Sequence, residues 1–203
     1  MKKTLSIVGV VAAAMLGAVW GAHAAEYDRP GNVEAPNVLQ VPQVPQVPQV
    51  PKVPINFVAV TERIHTSGQP SQAQLGELKS KGYAFIINLA TPASSGSIAE
   101  EGMLIAKTGI SYLNIPVDFK SPGYEDFELF SNILRQSGSR RVLVHCQVNK
   151  RASVFTFLYR VVHEGIAPDR AWENVTSIWA PDPQWTDFIR MVLKRHSIVF
   201  DPF

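Results

Sequence analysis

The stretch "RVLVHCQVNKRASVFTFLYRVVHEG", residues 141–165, decides how this chain folds. It opens as an apolar run of strand length, passes through a short polar loop, and continues as a long run that reads as a helix. The only cysteine of the chain, Cys146, falls where the strand stops. A loop between a buried strand and a helix N-terminus aims several backbone N–H groups at one point, and the helix dipole adds positive potential there. A cysteine at such a point is favoured as the thiolate. Arg151 adds a planar fork of donors that matches phosphate or sulfate oxygens. Ser153 is placed to donate a hydrogen bond to the sulfur, and His145 to orient the cysteine or support the loop. Each residue alone has a plainer reading: a small buried hydrophobe, a surface cation, a structural histidine. Together they point to an oxyanion site built from Cys146, Gln147, Val148, Asn149, Lys150 and Arg151.

Outward from this stretch the chain alternates. "INFVAV" (55–60) and "IHTS" (64–67) read as short strands, and "SQAQLGELKSKG" (71–82) as a helix opened by a Ser71–Gln74 capping box. "YAFIINLA" (83–90) is a continuous apolar run, as in a sheet buried on both faces. "SIAEEGMLIAKTG" (97–109) reads as a helix with Ser97 and Glu100 as a second capping box. "ISYLNIPV" (110–117) is a strand, and "YEDFELFSNILRQSG" (124–138), "PDRAWENVTSIW" (168–179) and "PQWTDFIRMVLKRH" (183–196) are helices. Such alternation predicts an α/β fold with a mostly parallel central sheet flanked by helices. In these folds active sites form beyond the carboxyl ends of the strands, where Cys146 lies. Trp172, Trp179 and Trp185 read as core packing.

The N-terminal part is different in kind. Residues 1–24 carry Lys2 and Lys3, then an uncharged apolar run ending in "AHA" at 22–24, the pattern of a cleaved secretory signal. Left uncleaved, the same run is long enough to tether the chain to a membrane. Export would place the protein in the periplasm or outside the cell, where cysteines are usually paired. A lone Cys146 there is a buried bystander or a reactive thiol. Residues 25–54 are polar and then proline-rich, with "VPQVPQVPQVPKVP" at 41–54. Proline at every third place suits polyproline II, a semi-rigid spacer of roughly 43 Å or a ligand for a partner's aromatic groove. Residues 55–203 form the domain. Of 19 lysines and arginines, two lie in residues 1–24, which leaves 17 against 17 acidic residues. That balance argues against a nucleic-acid partner, whose footprint is a basic excess.

Four segments over residues 55–195, "IHTSGQPS", "GYAFIINLA", "YLNIPVDFKSPGYEDF" and "VLVHCQVNKRAS", resemble the cysteine-dependent protein tyrosine/dual-specificity phosphatase superfamily. The likeness is to its bacterial exported branch, related to the beta-lactamase-hydrolase-like proteins. The resemblance implies a dual-specificity-phosphatase-like fold and hydrolysis of a phosphorylated protein or small molecule through a cysteinyl-phosphate. Cys146 is then the nucleophile and Arg151 the phosphate clamp, with no metal and no cofactor. Asp118 matches the family's general acid, on a loop whose Pro122 and Gly123 suit a hinge; Asp126 and Asp182 are reserves, and Gln184 is a candidate to position water.

The loop departs from the phosphatase pattern, which has one more residue between Cys and Arg. Only four residues, 147–150, separate Cys146 from Arg151. Rhodanese-type sulfurtransferases share this spacing, so sulfur transfer is one alternative and a non-catalytic phospho-ligand-binding module another. The loop has no glycine, although amide cradles often need φ > 0. Asn149 is the residue able to take that conformation.

Overall fold

The computed structural model describes residues 52–203. The signal segment 1–24 and all but the last three residues of the linker 25–54 lie outside the described residues. Five strands form one sheet in the order β1-β2-β5-β3-β4. They are β1 (Val58–Ala59), β2 (Ile64–Ser67), β3 (Tyr83–Asn88), β4 (Ser111–Asn114) and β5 (Arg141–His145). Only β1 runs antiparallel to its neighbour; β2, β5, β3 and β4 are mutually parallel. The helices are α1 (Gln72–Glu77), α2 (Glu101–Ala106), α3 (Tyr124–Gln136), α4 (Lys150–His163), α5 (Pro168–Thr176) and α6 (Pro183–Arg195).

Strand periodicity distributes the core. Side chains alternate between the two faces of a strand. On β5, Val142 and Val144 join the large cluster with α3, α4, α5 and α6, while Leu143 joins the smaller cluster with α1 and α2. Helix α3 buries Phe127, Phe130, Ser131 and Leu134, the i, i+3, i+4, i+7 stripe of an amphipathic helix. Helix α4 is buried through residues 151–159, as expected of a helix walled on all sides.

Of the two capping boxes expected at helix starts, one forms and one does not. The Ser71–Gln74 capping box forms in both directions. The Ser97–Glu100 box does not: α2 begins only at Glu101 and Glu100 makes no side-chain cap. The reason is Glu101 itself, whose side chain is drawn inward to polar partners described below. The strands read as "INFVAV" and "ISYLNIPV" shorten to Val58–Ala59 and Ser111–Asn114. On the edge strand β4, Ile115 N still donates to Asn88 O at 2.8 Å, but Val117 N then turns back onto Ile115 O at 2.8 Å, which ends the pairing with β3.

Candidate active site

The parity of β5 also builds the site. His145 shares the face of Leu143, toward α2, and Cys146 continues on the face of Val144, toward α4. His145 is fully buried, with Nε2 3.0 Å from Oε1 of Glu101, at ion-pair distance though off-line for a hydrogen bond. The other oxygen, Oε2, accepts from Gln69 Nε2 at 3.2 Å and Asn88 Nδ2 at 3.2 Å. Asn88 Nδ2 also donates to the Tyr112 hydroxyl at 3.0 Å. Burial pushes Tyr112 up to about 12, so its phenol stays neutral within this network. Glu101 is a residue that sequence reasoning missed. Its only signal was an acid at the start of an apolar helix, which reads equally well as a solvated first-turn charge.

Cys146 is 1% exposed, at the floor of the loop, with its amide donating to Ser67 O at 3.2 Å. The next two carbonyls are engaged by residues flanking β2 and β1. Gln147 O accepts from Gln69 N at 3.0 Å, and Val148 O accepts from Asn56 Nδ2 at 3.0 Å. In a trans peptide the N–H opposes the preceding C=O, so the Val148 amide points to the other side of the loop. Among the described residues no acceptor engages the amides of Gln147, Val148, Lys150 or Arg151. Unpaired amides of this kind are the standing property of a helix's first turn. Asn149 caps α4 with φ +70, the conformation expected of it in a loop without glycine.

Arg151 is 3% exposed. Its Nη1 donates to Val117 O at 2.8 Å and its Nη2 to Ser94 Oγ at 3.1 Å, while Nε is buried without a hydrogen-bond partner. Among the described residues no carboxylate lies at ion-pair distance from it. A buried cation normally demands an anionic partner. Val117 immediately precedes Asp118, so Arg151 also fastens the base of the loop 118–123. Asp118 is exposed and its Oδ1 accepts from Lys120 N at 2.9 Å.

Three expected roles are redirected. The Ser153 hydroxyl donates to Lys150 O at 2.9 Å, one turn back in its own helix, so its single hydrogen is spent there and not on the sulfur. The Asn149 side chain donates from Nδ2 to Asn56 O at 2.6 Å and Thr66 Oγ1 at 3.0 Å, which commits its amide hydrogens outside the loop. Lys150 carries its ammonium over the Trp179 ring, 4.8 Å from the centroid, rather than into the loop. Among the reserves, Asp182 caps α6 by accepting from Trp185 N, and Asp126 lies in the first turn of α3. Trp185 is core, as read from sequence, but it also acts on the acid loop: its Nε1 donates to Phe119 O at 3.0 Å. Trp179 is half-buried and packs on Phe119 and Lys150 beyond the end of α5.

A parallel sheet with a buried cysteine at the end of its central strand, an arginine in the following helix turn and an aspartate-bearing loop beside it defines the cysteine-dependent phosphatase fold. The comparisons agree. A DUF442 protein from Shewanella putrefaciens CN-32, classed with the phosphatases, is 30% identical; the match covers 70% of this chain and 93% of that one, with a TM-score of 0.65. The chain belongs to this DUF442 family. Kinase associated phosphatase, in a form whose catalytic site cysteine is replaced by serine, shares the fold at 16% identity, covering 74% of this chain and all of that one at a TM-score of 0.60. So does the catalytic core of the PP-IP phosphatase SIW14 from S. cerevisiae, at 18% identity, 71% and 92% coverage and a TM-score of 0.58. A beta-lactamase hydrolase-like protein from Xylella fastidiosa is 32% identical over 113 residues, 53% of this chain. The matched segment is only 26% of that relative's length. No family model matches the chain.

Proposed function

We propose that the chain is an exported phosphatase that hydrolyses phosphate monoesters through a cysteinyl-phosphate. The observation that carries this reading is Arg151, a buried guanidinium with no carboxylate partner, one loop away from a buried cysteine. A cation so placed is stabilised by an oxyanion between the loop amides and its free Nε.

In the first step the Cys146 thiolate attacks phosphorus. A P–S bond forms, the bond to the leaving oxygen breaks, and Asp118 gives that oxygen its proton. In the second step water attacks phosphorus, its proton passes to the Asp118 carboxylate, and the P–S bond breaks to release orthophosphate and thiolate. Arg151 and the amides of Gln147, Val148, Lys150 and Arg151 hold the three peripheral oxygens throughout. With the Ser153 hydrogen committed to Lys150, the departing sulfur is stabilised by those amides and the dipole of α4. His145 supports the loop from beneath through Glu101.

Residues 1–24 as a signal and 25–54 as a polyproline spacer place the domain in the periplasm or outside the cell, held away from whatever binds the N-terminus. Purified full chain is expected to hydrolyse p-nitrophenyl phosphate in the presence of a chelator, and Cys146→Ser to abolish that turnover. Activity surviving the substitution overturns the mechanism. Thiocyanate formation from thiosulfate and cyanide, with no phosphate release, would replace it by sulfur transfer, and saturable oxyanion binding without turnover by a binding module.

A further inference from the structure

The outer wall of the loop is formed by the segment through which the chain leaves the Val-Pro repeat. Pro54, the last proline of the repeat, lies two residues before Asn56. Asn56 then bonds the loop twice. Its Nδ2 donates to Val148 O at 3.0 Å, and its carbonyl accepts from Asn149 Nδ2 at 2.6 Å. Its neighbour Ile55 accepts from Gly68 N at 2.8 Å. Gly68 is clasped between this segment and the loop. A β-carbon there would meet Ile55 Cγ2 at 2.3 Å, Gln147 O at 2.8 Å and Val148 Cα at 3.0 Å, so only glycine admits the close approach.

The bonds of Asn56 reach the parts of the loop that matter for an anion. Holding Val148 O fixes the peptide plane between Val148 and Asn149. Holding the Asn149 side chain fixes the residue that starts α4, and with it the first-turn amides. Asn56 itself is exposed and sits at φ +50, in the left-handed region. Asparagine tolerates that region, but no conformational need requires its amide group there.

We propose that Asn56 is a positioning residue for the oxyanion loop, acting through Val148 and Asn149, so that the segment emerging from the proline repeat sets the loop's shape. This rests on the loop being an oxyanion cradle. A purely structural turn residue and a positioning residue separate cleanly in two variants. Asn56→Gly keeps the left-handed backbone without strain and keeps the carbonyl that accepts from Asn149, but loses the donor to Val148. Asn56→Ala loses the donor and also strains the backbone.

The full chain in its natural form and both variants is compared for orthovanadate affinity by calorimetry, thermal midpoint, and kcat and KM on p-nitrophenyl phosphate. Asn56→Ala is expected to lower the midpoint, and Asn56→Gly to lower it less, because glycine relieves the backbone strain though not the lost hydrogen bond. Both are expected to bind vanadate about tenfold more weakly, with kcat falling more than KM rises. Vanadate affinity fully restored in Asn56→Gly overturns the positioning role while leaving the cradle intact. Natural protein that binds no vanadate removes the cradle, and this role with it.

Discussion

The loop of Cys146 and the loop of Asp118 meet at Arg151 but are held in opposite ways. In the first, the carbonyls of Gln147 and Val148 and the side chain of Asn149 are all bonded to the strand ends, and both Cys146 and Arg151 are buried. In the second, the acidic side chain is exposed and bonds only within its own turn; the loop is fastened by two carbonyls, Val117 O to Arg151 and Phe119 O to Trp185. The difference matches two kinds of work. Stabilising charge in a transition state demands donors that do not reorganise. Delivering a proton demands only a carboxyl that can come within hydrogen-bond reach.

The largest expected effect tests the rigid half. Arg151→Lys replaces a fork with a point charge and gives up at least one of the bonds to Val117 and Ser94. Turnover of p-nitrophenyl phosphate is expected to fall by about 10²–10³. A loss smaller than tenfold would show that the guanidinium is a structural strut between loops and not the clamp. The acid-bearing loop gives a different signature. Asp118→Asn is expected to slow phenyl phosphate by roughly 10²-fold and p-nitrophenyl phosphate far less, because nitrophenolate leaves without help. Equal losses on the two esters would take the acid role away from Asp118.

The same contrast explains what the sequence could and could not convey. The alternation of strands and helices, the place of Cys146 and the left-handed Asn149 follow from local rules: apolar runs, strand ends, and the cost of positive φ without glycine. The Ser71–Gln74 cap is equally local and forms. What escaped reading is non-local. Glu101 becomes a partner of His145 only because β5's alternation points that histidine at α2. Ser153 lost its expected role to a carbonyl three residues back, a competition that hydroxyls within helices often resolve this way. Asn56 read as part of the short strand "INFVAV"; its partners Val148 and Asn149 are 92 and 93 residues away in the chain. Trp185 was legible as core, but its indole N–H bond to Phe119 required knowing where the acid loop passes.

That bond yields the smallest effect and the sharpest separation of the two loops. Trp185 is fully buried, and its ring packs on Phe119, Trp179, Phe155 and Phe188. Trp185→Phe keeps an aromatic ring in the core but deletes the donor to Phe119 O. One hydrogen bond is worth about 1 kcal/mol, and the smaller ring adds a packing loss of similar size. For a domain of this length the thermal midpoint is then expected to fall by roughly 4–8 °C. Because the lost bond holds only the acid loop, vanadate affinity should stay near that of the natural protein while phenyl phosphate turnover drops a few-fold. Asn56→Gly should show the reverse, weak vanadate with a smaller fall in midpoint. If Trp185→Phe weakens vanadate as much as Asn56→Gly does, the two loops move as one body and the division of labour between them is wrong.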